Sequence, residues 1–197
     1  MERLLEGLRL FGSALDVRDT FTSLHCGRTE ALANELGVQC GLSGAELRTL
    51  GLSAHAHDIG KIAVADHVLT KEGRLNPQEW LAMQAHSERG YHLVMEIDDD
   101  DTDVVAQAVL HHHEAFDGSG YPAGLSGEAI PPLARMIAIV DAYDAIAERR
   151  SYHGARNHAQ VIAILNGENA HKYDPYLLVH FNSLIASSKF RAPADVG

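Results

Sequence analysis

The chain of 197 residues holds 13 histidines, several beside carboxylates. Histidine is the commonest metal ligand and a ready acid or base near neutral pH. Four segments concentrate this chemistry. His57-Asp58-Ile59-Gly60-Lys61 sets an imidazole next to a carboxylate, whose two oxygens can bridge two metal ions. Lys61, just past the glycine, is placed to reach a phosphate. His86 stands in Gln84-Ala85-His86-Ser87-Glu88. His111-His112-His113-Glu114 runs into Phe116-Asp117-Gly118-Ser119-Gly120-Tyr121-Pro122. Neighbouring helical side chains diverge, so adjacent histidines suit one ion each of a close pair. Asp141 follows the apolar run Met136-Ile137-Ala138-Ile139-Val140, where a carboxylate must be paired or metal-bound. Asp144, one turn on, is a candidate to support it.

Each piece alone is weak. Most His-Asp dipeptides are surface or capping residues, and a lone helical histidine is more often structural than a ligand. The remaining histidines (His55, His67, His92, His158, His171 and His180) read as structural or surface residues, and His111 as a neighbour of the ligand pair.

The elements that would hold these residues are helical. Leu4, Leu8, Phe11 and Leu15 recur at steps of three and four, as on an amphipathic helix. A second helix is predicted from Asp19 to Glu35, ending near Gly37. Ser43 with Glu46 makes a capping box for a third, running to His57 and stopped by Gly60. Residues 62–75 lack a helical period and read as a loop. Asn76, Pro77 and Glu79 open a helix expected to reach Glu96. Others follow from Asp103 to His113, Pro132 to Ala147, Asn157 to Leu165, and Asp174 to Ser187. The segment 114–131, with Gly118, Gly120, Gly124 and Gly127, must be an ordered loop of fixed backbone geometry. Strand signals are absent, so the fold class is all-α.

The totals set limits. Apolar residues make up 46%, a globular composition, and the net charge of −11 opposes long nucleic acid on a basic face. No apolar run is long enough to span a bilayer, and the first residues do not read as a signal peptide. Cys26 and Cys40 make no disulfide framework. A cytoplasmic location is expected.

Taken in order, His-Asp-Ile-Gly-Lys, His86, His112-His113-Glu114, Asp-Gly-Ser-Gly-Tyr-Pro, Leu133-Ala134-Arg135 and Asp141 resemble the HD-GYP family, a branch of the HD phosphohydrolase superfamily. The match covers His25 to Asp174. The resemblance implies a helical HD-domain bundle with a metal centre in its core and an ordered GYP loop. It implies domain limits of 1–18 for an N-terminal linker or dimer helix, 19–188 for the catalytic domain and 189–197 for a disordered tail. The implied metal ligands are His25, His57, Asp58, His86, His112, His113 and Asp141. Asp58 and Lys61 are the implied catalytic residues; Lys61, Tyr121, Arg150 and His153 fall at substrate-contact positions. His153 stands where the family usually has Arg or Lys, which puts one phosphate contact in doubt.

The implied reaction is hydrolysis of cyclic di-GMP to linear pGpG, and onward to GMP, by a metal-bridged hydroxide. Another cyclic dinucleotide such as cyclic GMP-AMP is the alternative substrate. A non-catalytic binding module is the alternative class, disfavoured by the full ligand set. Nitrogen and oxygen donors suit iron or manganese first, then nickel, cobalt or zinc. Some relatives carry a glutamate one turn before the position of His25 that helps hold a third ion. Phe21 stands there, so two ions are expected. The resemblance also admits a homodimer, and a sensor domain or a diguanylate cyclase as partner. The chain reads as a stand-alone enzyme or as a domain excised from a larger protein.

Overall fold

The computed structural model describes residues 2–148 and 156–194. Among these residues ten helices follow one another: α1 (Glu2–Asp16), α2 (Thr20–Gln39), α3 (Gly44–Ala56), α4 (Asp66–Leu69), α5 (Pro77–Gln84), α6 (His86–Met95), α7 (Thr102–His111), α8 (Pro132–Glu148), α9 (His158–Gly167) and α10 (Pro175–Ile185). The described residues form no strand beyond one isolated bridge, between Asn169 and Tyr173. None of these helices is long and apolar enough to cross a membrane. The capping residues act as the sequence indicates. Ser43, Asn76 and Asn157 each close a capping box, and Asp174 accepts from the Tyr176 and Leu177 amides.

Helices α2, α3 and α8 to α10 enclose one apolar cluster, with Leu32, Leu36, Leu50, Ile137, Tyr143 and Phe181 at its centre. Helices α1, α6 and α7 build a second around Leu4, Leu8, Val94, Val105 and Val109. The two meet where the chemistry sits. Ala54 belongs to the first cluster but Ala56 and Ile59 to the second, flanking His57 and Asp58. Ala108 and Val109 divide the same way just before His112 and His113.

Several expected boundaries change for identifiable reasons. Helix α2 runs through Gly37 to Gln39. A Cβ at Gly37 would come within 2.7 Å of Leu47, so this glycine serves helix packing, not termination. Gly60 likewise is no left-handed helix stop. A Cβ there would lie 1.9 Å from the His86 carbonyl oxygen and 2.5 Å from the Gly90 nitrogen. It lets the 3-10 turn Ile59–Ala63 lie against α6, bringing Asp58 to His86. Residues 62–75 are not all loop, since they contain the end of that turn and α4.

The helix expected from Asn76 to Glu96 breaks at Ala85 into α5 and α6. The cause is local. His86 Nδ1 donates to the Met83 carbonyl at 2.7 Å, and Ser87 Oγ donates to that of Gln84 at 3.1 Å. Side chains thus take carbonyls that a continuous ladder would use.

The expected frayed tail is docked as far as residue 194. Ala192 is 2% exposed and its amide donates to the Tyr143 hydroxyl at 2.7 Å, while the His158 amide donates to the Pro193 carbonyl.

Candidate metal centre

Three of the expected ligands are aimed by one device. His57, His86 and His112 each sit at or just past the end of a helix, at the C-terminal ends of α3, α5 and α7. Each points Nδ1 at the carbonyl three residues back, those of Ala54, Met83 and Val109, all at 2.7 Å. A carbonyl oxygen only accepts, so Nδ1 carries the hydrogen in every case. Nε2 is left as a bare lone pair on the opposite edge of each ring. A backbone carbonyl of this kind is the usual support of a metal-binding imidazole.

The Nε2 atoms converge. Those of His86 and His112 are 3.3 Å apart. His57 Nε2 is buried with no hydrogen-bond partner, although Asp58 Oδ2 stands 3.3 Å away. His113 completes the trio; its ring lies 3.9 Å from that of His112 and 4.9 Å from that of Tyr121, centroid to centroid. Two groups of ligand atoms result, His86 with His112 and His113, and His25 with His57 and Asp141, each mutually within 4.8 Å. His112 and His113 therefore fall in one group and not one in each as their adjacency suggested, because the chain turns at the end of α7 and leaves their rings side by side.

Asp58 stands between the groups. Its Oδ1 is 3.4 Å from His86 Nε2 and its Oδ2 3.3 Å from His57 Nε2. One carboxylate therefore offers one oxygen to each group, the disposition a bridging ligand needs. Oδ2 also accepts from Lys61 Nζ at 2.6 Å. Desolvation would raise the Asp58 carboxyl, but Lys61 and His57 outweigh it and hold it well below its usual range.

The two groups differ in charge state. Burial, with further help from neighbouring imidazoles, pushes His86, His112 and His113 down, His113 to about 3. They are neutral and ready to ligate. Burial would also lower His25, but its hydrogen bonds to Asp141 (3.0 Å from Nε2) and Asp144 (2.7 Å from Nδ1) prevail and push it up to about 10. Asp141 is held down at about 2, its desolvation outweighed by His25 and His57. Asp144 supports the site through His25 and not through Asp141. It orients His25 and is fixed by Arg28, whose Nε and Nη2 donate to it at 2.7 and 2.9 Å.

The donors fit a divalent metal. Two nitrogens each about 2.0–2.1 Å from one ion lie roughly 3–3.4 Å apart, close to the His86–His112 separation. The orphaned Nε2 of His57 is the other sign, because a buried polar atom without a partner is costly.

The ordered loop brings Tyr121 beside the trio. The anchor of that loop is Glu114, to which the sequence alone assigned no role. Glu114 is buried and accepts from the amides of Ala123 (2.7 Å, Oε1) and Leu125 (3.1 Å, Oε2). Its position directly after the histidine run, ahead of a glycine-rich loop, was the available signal. Gly120 allows the loop to cross its own start, since a Cβ would meet the Ala115 nitrogen at 2.2 Å. His111 turns to Glu114 Oε1 at 3.3 Å. Burial pushes the Tyr121 hydroxyl upward, so it stays protonated. His112, His113, Tyr121 and Asp141 open onto a cleft of about 440 Å³. Arg150 and His153, expected at substrate positions, lie outside the described residues.

Comparison with known proteins gives the same frame. The family model of the HD domain matches residues 10–177. The chain is 39% identical over 174 residues to the cyclic di-GMP phosphodiesterase response regulator RpfG of Xanthomonas campestris pv. campestris, covering 88% of this chain and 46% of that protein. It is 33% identical over 178 residues to 3'3'-cGAMP-specific phosphodiesterase 2 of Vibrio cholerae, covering 88% of this chain and 34% of the relative. The chain thus spans less than half the length of these relatives. Among solved structures, the cyclic GMP-AMP phosphodiesterase V-cGAP3 of V. cholerae shares the fold at a TM-score of 0.70 and 20% identity, over 91% of this chain and 48% of that one. An HDG"Y"P protein of Bdellovibrio bacteriovorus, Bd1817, shares it at 0.66 and 21%, over 86% and 54%. With its His57-Asp58 pair at the meeting point of two donor groups and its Tyr121-Pro122 loop set beside His113, this chain belongs to the HD domain family, in the HD-GYP branch.

Proposed function

We propose that this chain is a metal-dependent phosphodiesterase that hydrolyses cyclic di-GMP to linear pGpG, with the cytoplasmic placement such a second messenger implies. The observation that carries the reading is Asp58, which offers one oxygen to each of two donor groups beside an open cleft. Relatives named as cyclic di-GMP phosphodiesterases support the same substrate. In this reading His86, His112 and His113 would hold one ion and His25, His57 and Asp141 the other, with Asp58 available to both. Bound divalent ions supply a water acidic enough to react near neutral pH and positive charge for the phosphoryl oxygens.

The chain's own residues do the rest. The carbonyls of Ala54, Met83 and Val109 keep three imidazoles in the ligating tautomer. Lys61, held charged by Asp58, supplies a cation where phosphate charge builds up; the family resemblance gives Arg150 as a second. Tyr121, protonated, is a hydrogen-bond donor on the cleft wall. Phe21, one turn before His25 on α2, offers no ligand atom, which supports two ions and slow conversion of pGpG to GMP. The test is incubation of the manganese- or iron-loaded protein with cyclic di-GMP, followed by chromatography and metal analysis. The reading requires pGpG to accumulate at two ions per chain. Rapid complete conversion to GMP, or three ions, would overturn the binuclear assignment.

The second substrate reading, cyclic GMP-AMP, rests on the relatives of that specificity. Parallel incubation with both dinucleotides decides between them by the ratio of kcat/KM.

A further inference from the structure

Helix α5 stands apart in the bundle, because none of its side chains is buried. It adds nothing to either apolar cluster, yet it is firmly fixed. Asn76 and Glu79 close its capping box, Pro77 begins it, and Lys71 Nζ donates to both oxygens of Glu79 at 2.8 and 2.6 Å. What this rigid outlying helix presents is Trp80, the single tryptophan of the chain, left 50% exposed. A large aromatic surface standing in water forgoes the gain of burial. Trp80 does not stand on a bare surface, however. It lines the same cleft as His112, His113, Tyr121 and Asp141. Gln84, four residues on and so on the same helical face, lines it too.

We propose that Trp80 is a nucleobase platform: its indole stacks on one purine of the substrate while the phosphodiester lies at the histidine and aspartate groups. The identity of the ligand as a purine nucleotide rests on the function proposed above. The placement of the ring rests on the cleft and on the absence of any core role for α5. Every base presents a π-face, so stacking tolerates base identity. Trp80 therefore separates nucleotides from simple phosphate esters without choosing between guanine and adenine. Gln84, whose amide both donates and accepts, is placed at the edge of the stacked ring.

The single tryptophan makes the test direct. GMP added to the metal-loaded protein should quench tryptophan emission saturably, and ribose 5-phosphate, which has the sugar and phosphate without the base, should not. Trp80→Ala should raise KM for cyclic di-GMP by about 5- to 150-fold, the range that stacking of one base supplies. Trp80→Phe should recover much of that loss. Metal content and inhibition by inorganic phosphate should stay at wild-type values in both variants. Equal quenching by ribose 5-phosphate, an unchanged KM in Trp80→Ala, or loss of metal from it would each overturn the platform. Turnover of a cyclic dinucleotide with unchanged KM in Trp80→Ala sinks the platform and leaves the proposed function. No turnover of any cyclic dinucleotide, with selective quenching by GMP, sinks the proposed function and leaves the platform.

Discussion

The Nε2 atoms of His86 and His112 face each other across 3.3 Å, and neither carries a hydrogen, because each ring has committed Nδ1–H to a backbone carbonyl. Two lone pairs so close repel unless a cation lies between them. The rings cannot turn away, since His86 follows the break between α5 and α6 and His112 caps α7. The helix ends therefore prepare a cation site before any ion arrives. That arrangement, with Asp58 beside it, has measurable consequences.

Asp58→Ala should remove both ions and abolish hydrolysis, since one carboxylate serves both donor groups. It also strips the partner from Lys61 Nζ, 2.6 Å away. Metal analysis after gel filtration, with circular dichroism to confirm the fold, makes the check. Wild-type metal content and turnover in this variant would refute the site.

The two donor groups should respond differently to pH. His86, His112 and His113 are already neutral, so an ion binding there releases no proton near pH 7. His25, pushed up to about 10, must lose a proton if it is to ligate. Calorimetry in buffers of different ionisation enthalpy should therefore find at least one proton released per two ions bound, with any ionisation of bound water adding to it. Zero protons released would exclude His25 as a ligand. In the metal-free protein the same shifts set stability. His113, lowered from 6.5 to about 3, contributes stability that is lost as pH falls through that window. His25, raised from 6.5 to about 10, contributes stability that is lost as pH rises through that one. Urea midpoints of the metal-free protein should therefore peak near pH 6.5, and a plateau through pH 9 would contradict the raised His25.

Asp144→Asn keeps the shape but removes the charge that orients His25 and pairs with Arg28. Outer partners of this type are worth about 10–100-fold in metal affinity or activity. The loss should fall on one ion of the two, seen as a biphasic metal titration. A uniform loss of both would mean that Asp144 acts on the whole fold.

Glu114→Gln tests the anchor of the loop. The carboxylate accepts two backbone amides, and hydrogen bonds to charged groups contribute about 1.5–3 kcal/mol each. An amide offers one acceptor oxygen, so one of those bonds is lost. The urea-unfolding free energy should drop by about that amount for one bond. KM should rise while metal content holds, because Tyr121 moves and the ligands do not. Metal loss would place Glu114 among the supports of the donor groups.

Much of this protein was legible from local order alone. Capping boxes at Ser43, Asn76 and Asn157 depend on residues three apart, and the structure places each as read. The pairing of His57 with Asp58 likewise sits within neighbouring residues, so its chemistry could be named from types and order, whereas the grouping of His112 and His113 together beside His86 could not. What local order could not supply was distance between elements. Gly60 reads as a helix stop in sequence, yet its function is to let the Asp58 turn approach the His86 carbonyl, a contact 26 residues away. The break at Ala85 lay hidden because Asn76 to Glu96 is helical in character throughout, and only side chains competing for the Met83 and Gln84 carbonyls divide it. Residue types and spacing determined which groups could ligate. The packing of two apolar clusters against each other decided that Asp58 faces His86 with one oxygen and His57 with the other, because a carboxylate bridges only where separate helix ends are brought within a few ångströms of it.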